Sequence, residues 1–160
     1  MSREVEFELA TITDAAELAA MSRDLIETDL GWSWTPSRVV RNIRSPDNVV
    51  LVANQRQRIA GFAIMYFGRE EARLNLLAVR PDCRRAGVGR RLIEWLEASA
   101  LVAGISVVFL ELRAANPGAR AFYEKLGYRR VETLPGYYCG RESAFRMARD
   151  LWASTATRAT

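Results

Sequence analysis

Glu111 closes an almost entirely apolar run, Ile105 to Leu110, in a chain of 160 residues. A carboxylate among such neighbours costs free energy unless it is paired or put to use. It shares a strand face with Val107 and Phe109, and two readings stand: an ion pair with a neighbouring Arg, or a proton acceptor. Tyr123 lies twelve positions further on, on the flank of a helix beside Ala119, Phe122 and Leu126. Its phenol either packs its ring or donates a proton. Strand end to following helix is a short path, so both side chains can reach one cleft. A third feature is Arg84-Arg-Ala-Gly-Val-Gly-Arg-Arg91. Glycines at i and i+2 before a helix let backbone amides turn inward at the positive end of the helix dipole, an arrangement suited to phosphate. The alternative is a plain glycine-containing helix entry. The segment is not a Walker loop, and Leu92 stands where a dinucleotide fingerprint needs its third glycine.

Composition removes most other chemistry. There is no histidine, which excludes His triads, His bases and His metal ligands. Two cysteines, Cys83 and Cys139, fall short of a Cys₄ zinc site, and no metal is expected. Without a His partner neither is a strong nucleophile. Basic residues outnumber acidic ones 23 to 19, and only Lys125 is not Arg. No run of four like charges appears, so neither a nucleic-acid footprint nor more than a mild attraction to phosphates is expected. No apolar stretch approaches the ~20 residues of a membrane span, and the first residues lack the apolar region of a signal peptide. Those features predict a cytoplasmic protein.

The elements that must position these residues follow from periodicity. Strands are predicted at Val5–Ala10, Val49–Asn54, Ile59–Phe67, Leu74–Val79, Ile105–Arg113, Tyr128–Thr133 and Ser143–Leu151. The second and third form a hairpin across Gln55-Arg-Gln-Arg58. Helices are predicted from an Asp14-x-x-Glu17 start to about Asp29, over Ser37–Arg44, over Gly87–Ala103, and from an Asn116 cap to Gly127. In the third helix Val88, Leu92, Trp95, Leu96 and Ser99 form the inward face. Gly31 to Pro36, and Pro135 to Gly140, read as loops. The order implies an α/β fold with a mixed sheet and helices on both faces. Residues 1–152 read as one domain and 153–160 as a frayed tail.

Arg84-x-x-Gly87-x-Gly89, following Leu77-Ala-Val-Arg-Pro-Asp82, resembles the pyrophosphate loop of the GNAT superfamily of N-acetyltransferases. Glu111-Leu-Arg-Ala-Ala-Asn116 and Ala121-Phe-Tyr-Glu-Lys-Leu-Gly-Tyr128 resemble that superfamily's second half, most of all its ribosomal-protein alanine N-acetyltransferases. The resemblance covers nearly the whole chain. It implies a mostly antiparallel sheet of about seven strands with about four helices, and acetyl-CoA as cosubstrate. Leu77, Ala78 and Val79 would line the pantetheine arm, with Val79 near the acetyl carbonyl. Arg84, Arg85, Ala86, Gly87, Val88, Gly89 and Arg90 would wrap the pyrophosphate, mainly through main-chain amides. Asn116 would hold the cofactor arm. Glu111 matches the general base and Tyr123 the general acid.

Acceptors in such a fold would lie between the loop joining the first two helices and the loop joining the last two strands. Trp32 and Trp34, with Tyr137 and Tyr138, could form an aromatic slot for a peptide N-terminus, unless the tryptophans cap the core. The expected partner is a peptide N-terminus or a small amine, on a monomer or homodimer. A small-molecule acetyltransferase and a non-catalytic acyl-CoA-binding module remain the alternatives.

Overall fold

The computed structural model describes residues 4–153. Seven strands form one sheet in the order β1-β2-β3-β4-β5-β7-β6. They are β1 (Val5–Leu9), β2 (Asn48–Gln55), β3 (Arg58–Phe67), β4 (Glu71–Val79), β5 (Val107–Arg113), β6 (Arg129–Tyr138) and β7 (Glu142–Asp150). The helices are α1 (Ala15–Leu25), α2 (Pro36–Arg44), α3 (Val88–Val102) and α4 (Pro117–Lys125). The chain forms two compact units, and β4 runs through both. One unit comprises the residues up to Tyr66 with Asn75–Ala98; the other comprises Phe67–Leu74 with the residues from Ser99 onward.

In the first unit β1, β2 and β3 pair antiparallel. The β2–β3 hairpin turns through Arg56 and Gln57, both at positive φ (53° and 62°). That is the two-residue turn whose twist matches its strands, here made without glycine. Val50 and Val52 of β2, with Phe62 and Ile64 of β3, pack in one core with Leu18, Met21, Trp34 and Val39 of the α1–α2 segment. Leu51, Ala53, Ala63 and Met65 are buried as well, so these strands are covered on both faces. Each such large side chain contributes about 1.5–3 kcal/mol by leaving water.

Helix α1 starts where expected, with Asp14 at its N-cap, but the capping box belongs to the turn before it. The Asp14 carboxylate accepts the Thr11 backbone N–H at 2.9 Å, and a 3₁₀ turn, Ile12–Asp14, leads into the helix. The box is therefore Thr11-x-x-Asp14 rather than Asp14-x-x-Glu17. The helix stops at Leu25, short of Asp29, which is at φ 66°. Helix α3 buries Val88, Leu92, Ile93, Leu96 and Ala100, whereas Trp95 is exposed. The apolar stripe is thus rotated from the predicted face toward Ile93 and Ala100.

In the second unit β4 and β5 run parallel over Glu71–Leu74 and Val107–Leu110. β5 and β7 pair antiparallel, as do β6 and β7. Along β5 burial alternates: Val108, Leu110 and Leu112 are buried, while Val107, Phe109, Glu111 and Arg113 lie half-buried on the other face. Strand period 2 is what sets Glu111 on that face. β6 extends through Tyr138, so Tyr137 and Tyr138 stand on a strand, not in a loop. Trp152 and Ala153 begin a helical turn whose backbone N–H groups donate to Asp150 Oδ1 at 3.0 and 3.1 Å. Residue 153 is therefore capped; the rest of the predicted tail lies outside the described residues.

Candidate active site

In the first unit, Pro81 ends β4 and a 3₁₀ segment, Pro81–Ala86, leads to Gly87. Gly87 sits in the left-handed region at φ 70°, with no atom within 4 Å of where a Cβ would stand. That conformation costs little only for glycine. Helix α3 begins at Val88, and the Arg91 N–H donates to Gly87 O at 3.1 Å. The amides of Val88, Gly89 and Arg90 precede that bond and are first-turn donors at the positive end of a 15-residue helix. An uncrowded turn with three such donors fits a pyrophosphate.

Two of the arginines there are engaged elsewhere. Arg84 Nε donates to Val79 O at 3.3 Å, and Arg90 pairs with Glu94 at 3.4 Å. Arg84 thus ties down the end of β4, and the Val79 carbonyl is already engaged. Arg85 and Ala86 belong to the 3₁₀ segment. Ala78 and Val79 are buried and Leu77 half-buried. A Cβ on Gly61 would lie 2.9 Å from Ala78 O and 3.1 Å from Val79 Cγ2. Gly61 therefore lets β3 approach the Leu77–Val79 segment, a role visible only once the two strands are adjacent.

In the second unit, the Glu111 side chain is 8% exposed. Its Oε1 accepts Arg73 Nη1 and the Tyr137 hydroxyl, the latter at 3.2 Å. Arg146 lies directly across the β5–β7 ladder, with its Nε 3.6 Å from Oε2. The ion-pair reading of Glu111 is thus realised, with Arg73 as the bonded partner. Arg73, Arg146 and Tyr137 were not among the predicted companions of Glu111. The signal was present in strand periodicity, which puts Arg146 on the same face, but cross-strand register cannot be read from spacing alone.

Asn116 caps α4: its Oδ1 accepts the Ala119 N–H at 3.0 Å, which leaves its amide NH₂ as a donor. Tyr123 is half-buried, its ring edge-on to Phe122 and Tyr128 at 5.1 and 5.8 Å. Burial first, and then Tyr138, pushes the Tyr123 phenol well above its ordinary range. It carries its proton at neutral pH, as an acid must. The Tyr138 phenol is pushed up to about 12, by burial and then by Tyr137 and Glu111.

A family model described as the acetyltransferase (GNAT) family matches residues 19–128. The chain belongs to the acetyltransferase (GNAT) family. It is 32% identical over 145 residues to the N-alpha-acetyltransferase RimI of Mycobacterium tuberculosis, covering 88% of this chain and 89% of that one. It is 40% identical over 97 residues to the ribosomal protein bS18-alanine N-acetyltransferase of Escherichia coli strain K12. That match spans 59% of this chain and 66% of the relative's length. The crystal structure of the Escherichia coli ribosomal-protein-S18-alanine N-acetyltransferase superposes with a TM-score of 0.81 at 28% identity, over 92% of this chain and 94% of that one. A Thermoplasma acidophilum N-acetyltransferase in complex with coenzyme A shares the fold at 20% identity, with a TM-score of 0.77, over 92% of this chain and 99% of that one.

For this GNAT chain the tryptophans need correction. Trp34 is 7% exposed and belongs to the core, with the Arg38 guanidinium 3.7 Å from its ring centroid. It cannot offer a slot wall. Trp32 is 39% exposed; its Nε1 donates to Ala19 O at 3.1 Å, and Arg23 stacks 5.2 Å from its centroid. In the second unit Tyr137 is exposed and Tyr138 half-buried, their rings edge-on at 5.0 Å. Cys83 is buried, and burial, then Asp82, push its thiol up, away from nucleophilic use. A cavity of about 650 Å³ in the second unit is lined by Val107, Phe109, Val131 and Trp152 and by none of the predicted site residues.

Proposed function

We propose that the protein is an acetyl-CoA-dependent N-acetyltransferase whose acceptor is the N-terminal α-amine of a protein or peptide. The observation that carries the cosubstrate is the Gly87 turn, with its three first-turn amides, in a member of this family. The peptide acceptor rests on the names of the two relatives above and on exposed Tyr137. Residues up to Trp152 work as one catalytic domain, cytoplasmic, as a monomer or homodimer.

Acetyl-CoA supplies an acyl group activated as a thioester. The amides of Val88, Gly89 and Arg90 hold its pyrophosphate, Leu77 to Val79 line the pantetheine arm, and the Asn116 NH₂ donates to that arm. Glu111 takes a proton from the attacking amine, directly or through a water. Tyr123 gives its proton to the departing sulfur. An α-amine has a pKa of about 7.7–8.0 and a Lys amine about 10.4, so a carboxylate base deprotonates the α-amine more readily. Tyr137, exposed on β6, contacts the acceptor.

The test is acetyl-CoA turnover against a panel of peptides with free N-termini, the same peptides with blocked N-termini and an internal Lys, and small diamines and aminoglycosides. Turnover of the free N-termini alone is expected. Preference for blocked peptides or for small amines would overturn the acceptor assignment. Absence of acetyl-CoA binding by calorimetry would overturn the whole reading.

A further inference from the structure

Two buried polar atoms on the open face of the second unit face each other without a hydrogen bond: Glu111 Oε2 and Arg146 Nε, 3.6 Å apart. Buried polar atoms are rarely left this way, and a shift of well under 1 Å would join them. What restrains Arg146 is its other nitrogen. Arg146 Nη1 donates to Glu132 Oε2 at 2.9 Å, from the neighbouring strand β6. Glu132 and Glu111 thus compete for one guanidinium. The opposite carboxylate oxygen, Oε1, is engaged by Arg73 and by the Tyr137 hydroxyl.

We propose that Glu132 is a positioning residue that holds Arg146 off Glu111 and keeps the lone pairs of the buried Oε2 free of a hydrogen-bond donor, so that this oxygen takes the proton. This rests on the reading of Glu111 as the base. In the step it serves, an N–H bond of the acceptor amine breaks, its electron pair stays on nitrogen, and an O–H bond forms at Oε2. With Arg146 bonded to Oε2 that oxygen would be occupied by a donor, and its lone pair would compete poorly for a proton. Register explains why the latch is available. Glu111 pairs with Arg146 on β7, and Arg146 pairs with Glu132 on β6, so the three stand in one row across three strands. The β6 ladder shifts register between Arg130 and Glu132, and this bulge brings Glu132 opposite Arg146. The charged and titratable groups around Glu111 are Arg73 from β4, Arg146 from β7, and Tyr137 and Tyr138 from β6.

The experiment is a cycle of Glu132→Gln and Arg146→Met, with Glu132→Asp and Glu111→Gln alongside, read by kinetics and by the Arg Nε–H signals in NMR. Glu132→Gln is expected to lower kcat about tenfold, with the KM for acetyl-CoA unchanged. The Arg146 Nε–H resonance should move downfield as it bonds Oε2. In the Arg146→Met background Glu132→Gln should do nothing further, since the competing donor is gone. Glu132→Asp, which keeps the charge, should stay nearer the parent. Equal slowing in both backgrounds, or an unmoved Arg146 signal in Glu132→Gln, would overturn the latch. If Glu111→Gln leaves the rate and its pH profile unchanged, the base reading itself fails, and the NMR shift separates that failure from loss of the latch.

Discussion

Glu27 in the first unit and Glu111 in the second are both nearly buried carboxylates, and they are treated in opposite ways. Glu27, after α1, is 8% exposed and receives only neutral donors. Ser22 Oγ donates to its Oε2 at 2.9 Å, the Ser33 backbone N–H and hydroxyl donate to Oε1, and the Trp34 N–H donates to Oε2 at 3.2 Å. Both of its oxygens are used. Burial alone would push its pKa up, but the Ser33, Ser22 and Trp34 hydrogen bonds outweigh this and leave it below the ordinary value. Glu111 instead faces two guanidiniums, with one oxygen hydrogen-bonded and the other buried without a hydrogen bond. Burial is therefore a poor marker of function by itself. What separates Glu27 from the proposed base is whether the carboxylate's lone pairs are already spoken for.

The largest effect that sharpens this contrast is on rate. Glu111→Gln keeps the shape but cannot accept the proton, and turnover at neutral pH should fall by about 10²–10⁴-fold. The loss should shrink as pH rises, because the α-amine, with a pKa of about 7.7–8.0, then deprotonates without help. A loss that is the same at every pH would mean that Glu111 matters only as the partner of Arg73. Tyr123→Phe should come next, with about a 10²-fold loss in turnover and unchanged acetyl-CoA affinity, since only the hydroxyl is removed. Full activity would return Tyr123 to packing against Phe122 and Tyr128.

Glu27→Gln tests the other side. Its amide keeps one acceptor oxygen but turns an NH₂ group toward hydroxyl and N–H donors. The expected cost is about 1–3 kcal/mol of stability, read as a melting temperature lower by several degrees. Turnover by the folded fraction should stay near that of the parent. A variant as stable as the parent would show that the Ser33–Trp34 segment is held by packing of Trp34 alone. Gly89→Val places a branched side chain at a buried first-turn position of α3. Acetyl-CoA affinity should fall at least about tenfold, about 1.4 kcal/mol, in a variant whose melting temperature shows it folded. Unchanged affinity by calorimetry would move the pyrophosphate elsewhere.

The element order, with its seven strands and four α-helices, could be read from periodicity and caps, because each segment's pattern agrees with its place in the sheet, whereas the far end of β6, the end of α1 and the two 3₁₀ segments could not. Gly87 was legible as the turn into α3, because a glycine between a strand stop and an amphipathic helix supplies the positive φ that the turn needs. Glu111 and Tyr123 were legible as candidates because an isolated carboxylate in an apolar run is conspicuous. The surroundings of Glu111 were not. Arg73, Arg146 and Glu132 come from three different strands, and which of 22 arginines faces a given carboxylate depends on register and on a bulge. Trp34 was misplaced because a Trp-Ser-Trp loop reads as exposed, whereas Glu27 binds the Ser33 and Trp34 amides and draws the second ring into the core. Glu27 itself was passed over: six residues before Ser33, it lies in what reads as the polar end of a helix.

The smallest effect is on acid stability, and its sign follows from Glu27. Its folded-state pKa is depressed below the ordinary value of about 4.5. Its contribution is therefore fully present above that value and is lost as pH falls through the lower, folded-state value. Asp24 and Asp82 are lowered in the same direction, chiefly by their hydrogen bonds from Arg23 and Arg58, so the parent's melting temperature in acid mixes several carboxylates. The Glu27→Gln variant removes one of them and leaves the others in place. The difference in melting temperature between parent and variant should thus be constant from pH 7 to about 5 and narrow below about 4.5. Differential scanning calorimetry at four or five pH values reads it directly. A difference that persists undiminished into acid would show that Glu27 acts through packing and shape rather than as an anion. The contrast between a saturated carboxylate and one with an oxygen free of hydrogen bonds would then rest on Glu111 alone.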